Sequence, residues 1–411
     1  MTLRLTRTCR CAALLAATIM VAGCGSTAPT SPTSGSPTAA SAAPDSDAFA
    51  QSMAYPIDLW RTSFQTGPMT FTVPGTVLAA SVGHGPVQLV ASGDAVAGVR
   101  PAAISDAFHI GSMTKLFTAA LMMQLDQEGV LSLDSTINTW FPTAPNGSKI
   151  TVRLLLEHES GLNEIDFDLI GKATSQQLID NVFARPPIAQ PGAEYQYLNA
   201  GYLILGRIAE KATGMPYAHL VQARFIGPFG LTSTYLDGYG DGPEAVNGYD
   251  LACAGATGSD CLGKPSTPQA VTTSPQWKGA WSAGGMVSTA RDQAIWLRAL
   301  VDGDVLDEAH KQLMRNLTPL STAYYSAAYA HAGISPLQLG EGAGLATWAV
   351  PGVGNCLGHA GAIPGSNGIA AYCPDHDLAI VILNNVNPAG TAPGYPGLFQ
   401  LTPTALRIIG R

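Results

Sequence analysis

The chain has 411 residues, of which 46% are apolar and 12% charged, and a formal net charge of −8. This balance suits a well-packed globular protein of one large or two ordinary domains and excludes general disorder. With Arg4, Arg7 and Arg10 set aside the charge is about −11, and no later basic run is interleaved with aromatics, so a nucleic-acid partner is excluded.

The first residues read as an export signal. The three arginines precede an apolar stretch from Cys11 to Gly23, the pattern of a charged n-region and a short h-region. That stretch is shorter than the roughly 20 residues that a membrane-spanning helix needs. It ends Val21-Ala22-Gly23-Cys24, which resembles a bacterial lipobox, and the resemblance implies cleavage before Cys24 and acylation of that residue. The simpler alternative is ordinary signal cleavage with Cys24 incidental. From Gly25 to about Ala54 the chain is Ser, Thr, Pro, Ala and Gly with almost no large apolar side chain, which predicts a disordered tether. The expected organisation is a lipoprotein signal peptide over 1–23, a lipidated cysteine and tether over 24–54, and one folded domain over 55–411. The expected location is the extracytoplasmic face of a bacterial cell membrane, held by the lipid anchor alone.

Four cysteines remain, Cys253, Cys261, Cys356 and Cys373, and an oxidising compartment points to two disulfides with three possible connectivities. Cys253–Cys261 and Cys356–Cys373 are preferred because each pair is close in sequence. No C-x-x-C spacing exists and the histidines are scattered, so neither a metal nor another cofactor is expected.

Between Thr76 and Ile110, Val- and Ala-rich runs separated by Gly83-His84-Gly85-Pro86 and Gly93-Asp94 predict a β-meander. From Ser112 to Glu128, Leu116, Phe117, Ala120, Leu121 and Leu125 recur at helical spacing and Gly129 follows as a stop, which predicts an amphipathic helix. The stretch of about 131–300 predicts a mainly helical lobe, its clearest helix running from Tyr202 to Ala212 and ending at Gly214. Strand character returns after about Gly342, in Leu345–Val350, Gly368–Tyr372 and Leu378–Leu383. The expected fold is therefore α+β: an antiparallel sheet flanked by helices, completed by the C-terminal part of the chain, with the helical lobe inserted between its halves. A cleft between two lobes is a common place for a small-molecule site.

Three motifs carry chemistry. Ser112 and Lys115 stand at i and i+3 of the predicted helix, so the amine can lie beside the hydroxyl and act as its base. Gly111 permits a tight turn before them, and amides at the helix start can face a developing oxyanion. Taken alone, such a spacing is as consistent with a solvated lysine on a helix face. Tyr197, in Tyr197-Leu198-Asn199, becomes a candidate base if an adjacent ammonium stabilises its phenolate; otherwise it is a buried, hydrogen-bonded tyrosine. His359-Ala360-Gly361-Ala362 lies between two strand-like runs, where Gly361 lets a substrate backbone approach and Ala362 offers a second oxyanion amide. Alone, His359 reads as a loop histidine.

In order, Ser112-x-x-Lys115, Tyr197-x-Asn199 and His359-x-Gly361 resemble the serine penicillin-recognising enzymes: class C β-lactamases, D-Ala-D-Ala carboxypeptidases and related esterases, peptidase family S12 in broad terms. His158-Glu159-Ser160-Gly161-Leu162 resembles that group's His-Thr-Ser-Gly-Leu loop, and Ser282-Ala283-Gly284-Gly285 its Ser-Ala-Gly-Gly stretch, so the likeness runs from about Thr70 to Asn385. It implies a β-lactamase/transpeptidase-like fold and an acyl-enzyme on Ser112, with Lys115 and Tyr197 moving the proton. Asn199 would orient Lys115 or the substrate amide, and the amides of Ser112 and Ala362 would hold the oxyanion. The partner implied is a small-molecule or peptide substrate with an ester or amide carbonyl. His359 stands where β-lactamases of this kind have lysine, and a neutral imidazole is a weaker partner for a β-lactam carboxylate. The reading is a carboxypeptidase-like or esterase-like enzyme, with a weak β-lactamase or a non-catalytic cell-wall peptide-binding protein as alternatives. An α/β-hydrolase elbow, G-x-S-x-G, is absent, and Gly258 to Lys264 is followed by Pro265 rather than the Ser or Thr of a phosphate-binding loop.

Overall fold

Strands from the two ends of the chain pair with one another, and that pairing sets the architecture. The computed structural model describes residues 46–66, 69–253, 256–257, 267–271, 278–331, 337–387 and 394–410. The strands Gly75–Val82, Gln88–Val96 and Arg100–Pro101 share one eight-stranded sheet with Gln338–Glu341, Ala346–Val350, Gly354–Ile363, Ser366–Cys373 and Leu378–Asn384. All neighbours in it are antiparallel. The seam between the N- and C-terminal halves is the pairing of Leu378–Asn384 with Gly75–Val82, with Ile380 opposite Ala80. Everything between residues 101 and 338 is thus inserted between two halves of one sheet, and the expected α+β fold holds.

The unbroken apolar run Leu378 to Leu383 reflects a strand covered on both faces. Side chains alternate across a strand, so Leu378, Ile380 and Ile382 enter one core while Ala379, Val381 and Leu383 enter the other. The core that receives Leu378, Ile380 and Ile382 is closed by two terminal helices, Ser46–Thr62 and Gly394–Ile409. The first of these corrects the expected tether boundary at residue 54. Phe49, Met53, Ile57 and Trp60 recur at helical spacing and pack with Leu398, Leu401 and Ala405, so residues from Ser46 onward belong to the fold. The signal segment, Cys24 and the rest of the tether lie outside the described residues, as does Cys261 and with it the Cys253–Cys261 pairing. Among the described residues no helix is long and apolar enough to cross a membrane.

Three further expectations change in the structure. The last strand of the meander, Ala107–His109, leaves the large sheet and pairs with Met286–Thr289, which also pairs with Tyr235–Leu236. The helix after Ser112 spans Thr114–Gln127 and is not amphipathic: every residue from Thr114 to Met123 is buried, because helices and strands surround it on all sides. The helix Ala290–Val301, at the end of the supposed helical lobe, packs on the sheet against Ser366–Cys373, Leu378–Asn384 and Gly75–Val82.

Cys356 and Cys373 form a disulfide between adjacent strands, the pair next along from Leu357 opposite Tyr372. Replacing both by alanine is expected to remove about 2–4 kcal/mol of stability, while the ladder of strand hydrogen bonds keeps the fold. Thermal unfolding should show a lowered Tm with native circular dichroism at 25 °C; an unchanged Tm would contradict this account of the bridge.

Candidate active site

The turn that carries Ser112 is wedged against a strand by two glycines. The chain leaves the small sheet at His109, Ile110 N donates to Met286 O, and Gly111–Met113 form one 3-10 turn before the buried helix begins. Gly111 has φ of +52°, and a Cβ there would lie 2.8 Å from Ala362 N. A Cβ on Gly361 would lie 1.9 Å from Ile110 O. No other residue type fits either place, so backbone meets backbone and the Ala362 amide is brought beside Ser112. The His359–Ala362 motif is therefore part of the strand Gly354–Ile363 itself, and the expected loop is corrected. Its neighbour Ala346–Val350 stops pairing at Gly358, so among the described residues His359 to Ile363 have a strand partner on one side only. This stretch of strand borders the cavity beside Ser112.

Lys115 is fully buried at the first turn of the helix. Its Nζ stands 3.0 Å from Ser112 Oγ, 2.7 Å from Asn199 Oδ1 and 2.8 Å from Ala283 O. Burial lowers its pKa to about 7, against an upward pull from Glu164 and Glu341. Ala283 belongs to the Ser282-Ala283-Gly284-Gly285 stretch, which thus has a definite part: it offers the carbonyl that accepts from the lysine.

Asn199 opens the helix Asn199–Thr213, and its orientation is fixed by a carboxylate that sequence reasoning did not find. Glu164 accepts from Asn199 N at 2.9 Å, from Asn199 Nδ2 at 3.0 Å and from Ala200 N at 3.1 Å. With Nδ2 committed to Glu164, Oδ1 is left to face Lys115. The carboxylate also sits where the helix exposes its first N–H groups. Glu164 is 35 positions before Asn199 and belongs to no motif, so no spacing in the sequence signals it.

Tyr197 is held just ahead of that helix by His158. The His158 carbonyl accepts from Gln196 N at 2.8 Å, its Nδ1 accepts from Leu198 N at 3.0 Å, and its ring stacks on Tyr197 at 4.4 Å. His158 adopts a left-handed φ of +61° to do so. Burial is the largest influence on its pKa and, with Lys115 and His359 nearby, holds it well below the usual histidine range, so the ring is neutral. Lys115 Nζ lies 5.0 Å from the centre of the Tyr197 ring. The Ser112 hydroxyl and the Tyr197 ring thus both stand close to the one buried amine.

A cavity of about 380 Å³ opens over Ser112, and Tyr197, Asn199, His359, Gly361 and Ala362 all line it. His359 is buried and its pKa is lowered to about 3, by burial first and by Lys115 second, so its ring is neutral at any ordinary pH. Its Nδ1 faces Ala360 O at 2.5 Å and therefore carries the proton, which leaves Nε2 as an acceptor. Two further groups found only in the structure complete the wall: Glu341 and Tyr325. Among the described residues no Lys or Arg lines the cavity, and no group of His, Cys, Asp and Glu side chains is arranged to hold a metal.

A profile of the Beta-lactamase family matches residues 60–396. Penicillin-binding protein 4* of Bacillus subtilis (strain 168) is 24% identical over 339 residues, covering 79% of this chain and 71% of the relative. The lovastatin esterase of Penicillium rubens is 26% identical over 307 residues, covering 66% of this chain and 75% of the relative. Among solved structures, the D-amino acid amidase of Ochrobactrum anthropi SV3 complexed with D-phenylalanine superposes with a TM-score of 0.72 at 27% identity, over 88% of this chain and 98% of that one. The matched span covers most of the described fold and every motif around Ser112, and the chain belongs to the beta-lactamase family of serine hydrolases.

Proposed function

We propose that the chain hydrolyses ester or amide substrates through an acyl-enzyme on Ser112, with Lys115 as the base. The observation that carries this reading is the amine 3.0 Å from Ser112 Oγ with its pKa lowered to about 7. Asn199 Oδ1 and Ala283 O are carbonyl oxygens and can only accept, so they take the two N–H bonds of a neutral amine. The lone pair then faces the Ser112 hydroxyl. Ser112 Oγ attacks the carbonyl carbon, its proton passes to Lys115, and the amides of Ser112 and Ala362 face the oxyanion. Tyr197 relays that proton to the leaving group, whose bond to the acyl carbon breaks. Water then attacks the acyl carbon, its proton passes through the same pair to Ser112 Oγ as the bond from Oγ to the acyl carbon breaks, and the acid is released. Asn199 acts on Lys115 rather than on the nucleophile directly.

Within the family, the cavity favours an esterase- or amidase-like activity. A β-lactam or a D-Ala-D-Ala terminus presents a carboxylate, and a neutral His359 with no Lys or Arg in the lining gives that anion little to bind. The relatives named as an esterase and an amidase agree with this direction. We propose further that the mature chain begins at a lipidated Cys24 on the outer face of a bacterial cell membrane; radiolabelled palmitate incorporated by the wild type and not by Cys24→Ala tests this, and equal labelling would refute it.

Ser112→Ala should lower p-nitrophenyl ester hydrolysis by about three orders of magnitude or more without changing circular dichroism. Undiminished hydrolysis in that variant removes the nucleophile, and no hydrolysis of esters or amides by the wild type leaves a binding protein.

The amine accepts a proton only when neutral. The acylation rate should therefore fall about tenfold per pH unit below an apparent pKa near 7 and level off above it. Glu164 pulls that pKa upward, so Glu164→Gln should move the acid limb to lower pH. A profile flat from pH 5 to 8, or a limb that moves upward in the variant, would contradict Lys115 as the base.

A further inference from the structure

The site described above has one acidic wall, and resting on the hydrolase reading, that wall says what kind of substrate is selected. Glu341 ends the strand Gln338–Glu341 and lines the cavity with Tyr325 and Trp348. Its side chain is only 9% exposed. The carboxylate accepts from Tyr195 Oη at 2.8 Å, Tyr325 Oη at 3.0 Å and Gln338 Nε2 at 3.0 Å. A carboxylate offers about four acceptor positions, so three fixed donors leave one open. His158 Nε2 stands 4.0 Å away, too far for a hydrogen bond, and finds no partner among the described residues. Burial raises the pKa of this carboxyl, against the pull of the three hydrogen bonds and of Lys115, so a carboxyl group that gains from a nearby cation sits in a cavity whose described lining holds no Lys or Arg, with acceptor capacity to spare.

Its position relative to the chemistry follows from one chain of contacts. Glu341 stands beside His158, and the His158 ring is stacked on Tyr197. Tyr197 returns the proton to the leaving group, so the leaving group passes on the side of the cavity where Glu341 lies. We propose that Glu341 is a specificity determinant that receives a positively charged group, an ammonium, carried by the leaving-group portion of an ester or amide substrate. The same side chain, once ionised, repels a carboxylate at that position, so it selects by attraction and by exclusion. Ile165, Phe167 and Ile170, contributed by another segment, offer an apolar lining for the acyl portion.

The test uses two isosteric esters of phenylacetic acid, the cationic choline ester and the neutral 3,3-dimethylbutyl ester. Their affinities for Ser112→Ala are measured by calorimetry, which needs no turnover. The choline ester should bind about tenfold more tightly or better, and adding Glu341→Gln should bring the two affinities together while leaving the neutral ester within about threefold. Equal affinities in Ser112→Ala alone overturn the proposal whether or not the second variant folds. A parallel loss for both esters in the double variant overturns it too, since that is what a purely structural Glu341 would give. Hydrolysis of the same esters by the wild type is read separately: its absence refutes the hydrolase reading, while the affinity ratio still decides the role of Glu341.

Discussion

A fully buried lysine amine that, among the described residues, has no carboxylate in direct contact is the interaction on which the rest of this structure depends. Full burial would leave an ammonium poorly solvated, and the groups within reach of Lys115 Nζ are a hydroxyl and two carbonyl oxygens rather than a counter-ion. Glu164 and Glu341 act on it from farther away and moderate the effect without abolishing it. The result is an amine poised between its two protonation states near neutral pH, the condition under which a base accepts and returns a proton with least cost.

Holding that amine in place requires parts of the chain far apart in sequence. The buried helix supplies Ser112 and Lys115, the Ser282–Gly285 stretch supplies a carbonyl, and the helix beginning at Asn199 supplies an amide aimed by Glu164. The sheet supplies the Ala362 amide, and its two halves come from opposite ends of the chain, joined between Gly75–Val82 and Leu378–Asn384. Gly111 and Gly361 are where helix and sheet touch, and a side chain at either would push the oxyanion donor away from the nucleophile. The eight-stranded sheet can therefore be seen as the frame that fixes a distance across the cleft.

What the sequence discloses about this site is the part encoded locally. The i, i+3 spacing of Ser112 and Lys115, the left-handed stop at Gly214 and the unbroken apolar run at Leu378–Leu383 are signals carried within single elements. The pairing of Cys356 with Cys373 follows from nearness in sequence combined with strand neighbours. Glu164 and Glu341 are not legible, because each acts through a long-range contact and neither belongs to a repeating pattern. The helix from Ser46 is obscured by the Ser- and Ala-rich segment before it, although Phe49, Met53, Ile57 and Trp60 carry its period. The helix after Ser112 loses its expected polar face because burial there is decided by neighbours, not by its own sequence.

Proton affinity of the Lys115 side chain is the quantity that tests this account most directly. Selective carbon-13 labelling of lysine, with Lys115→Met used to assign the resonance, lets its Cε shift be followed from pH 5 to 11. A midpoint near 7 is predicted for Lys115, well apart from the other lysines. A midpoint close to 10.5, the ordinary value for lysine, would mean that the amine is charged throughout the working range and cannot take the proton from Ser112.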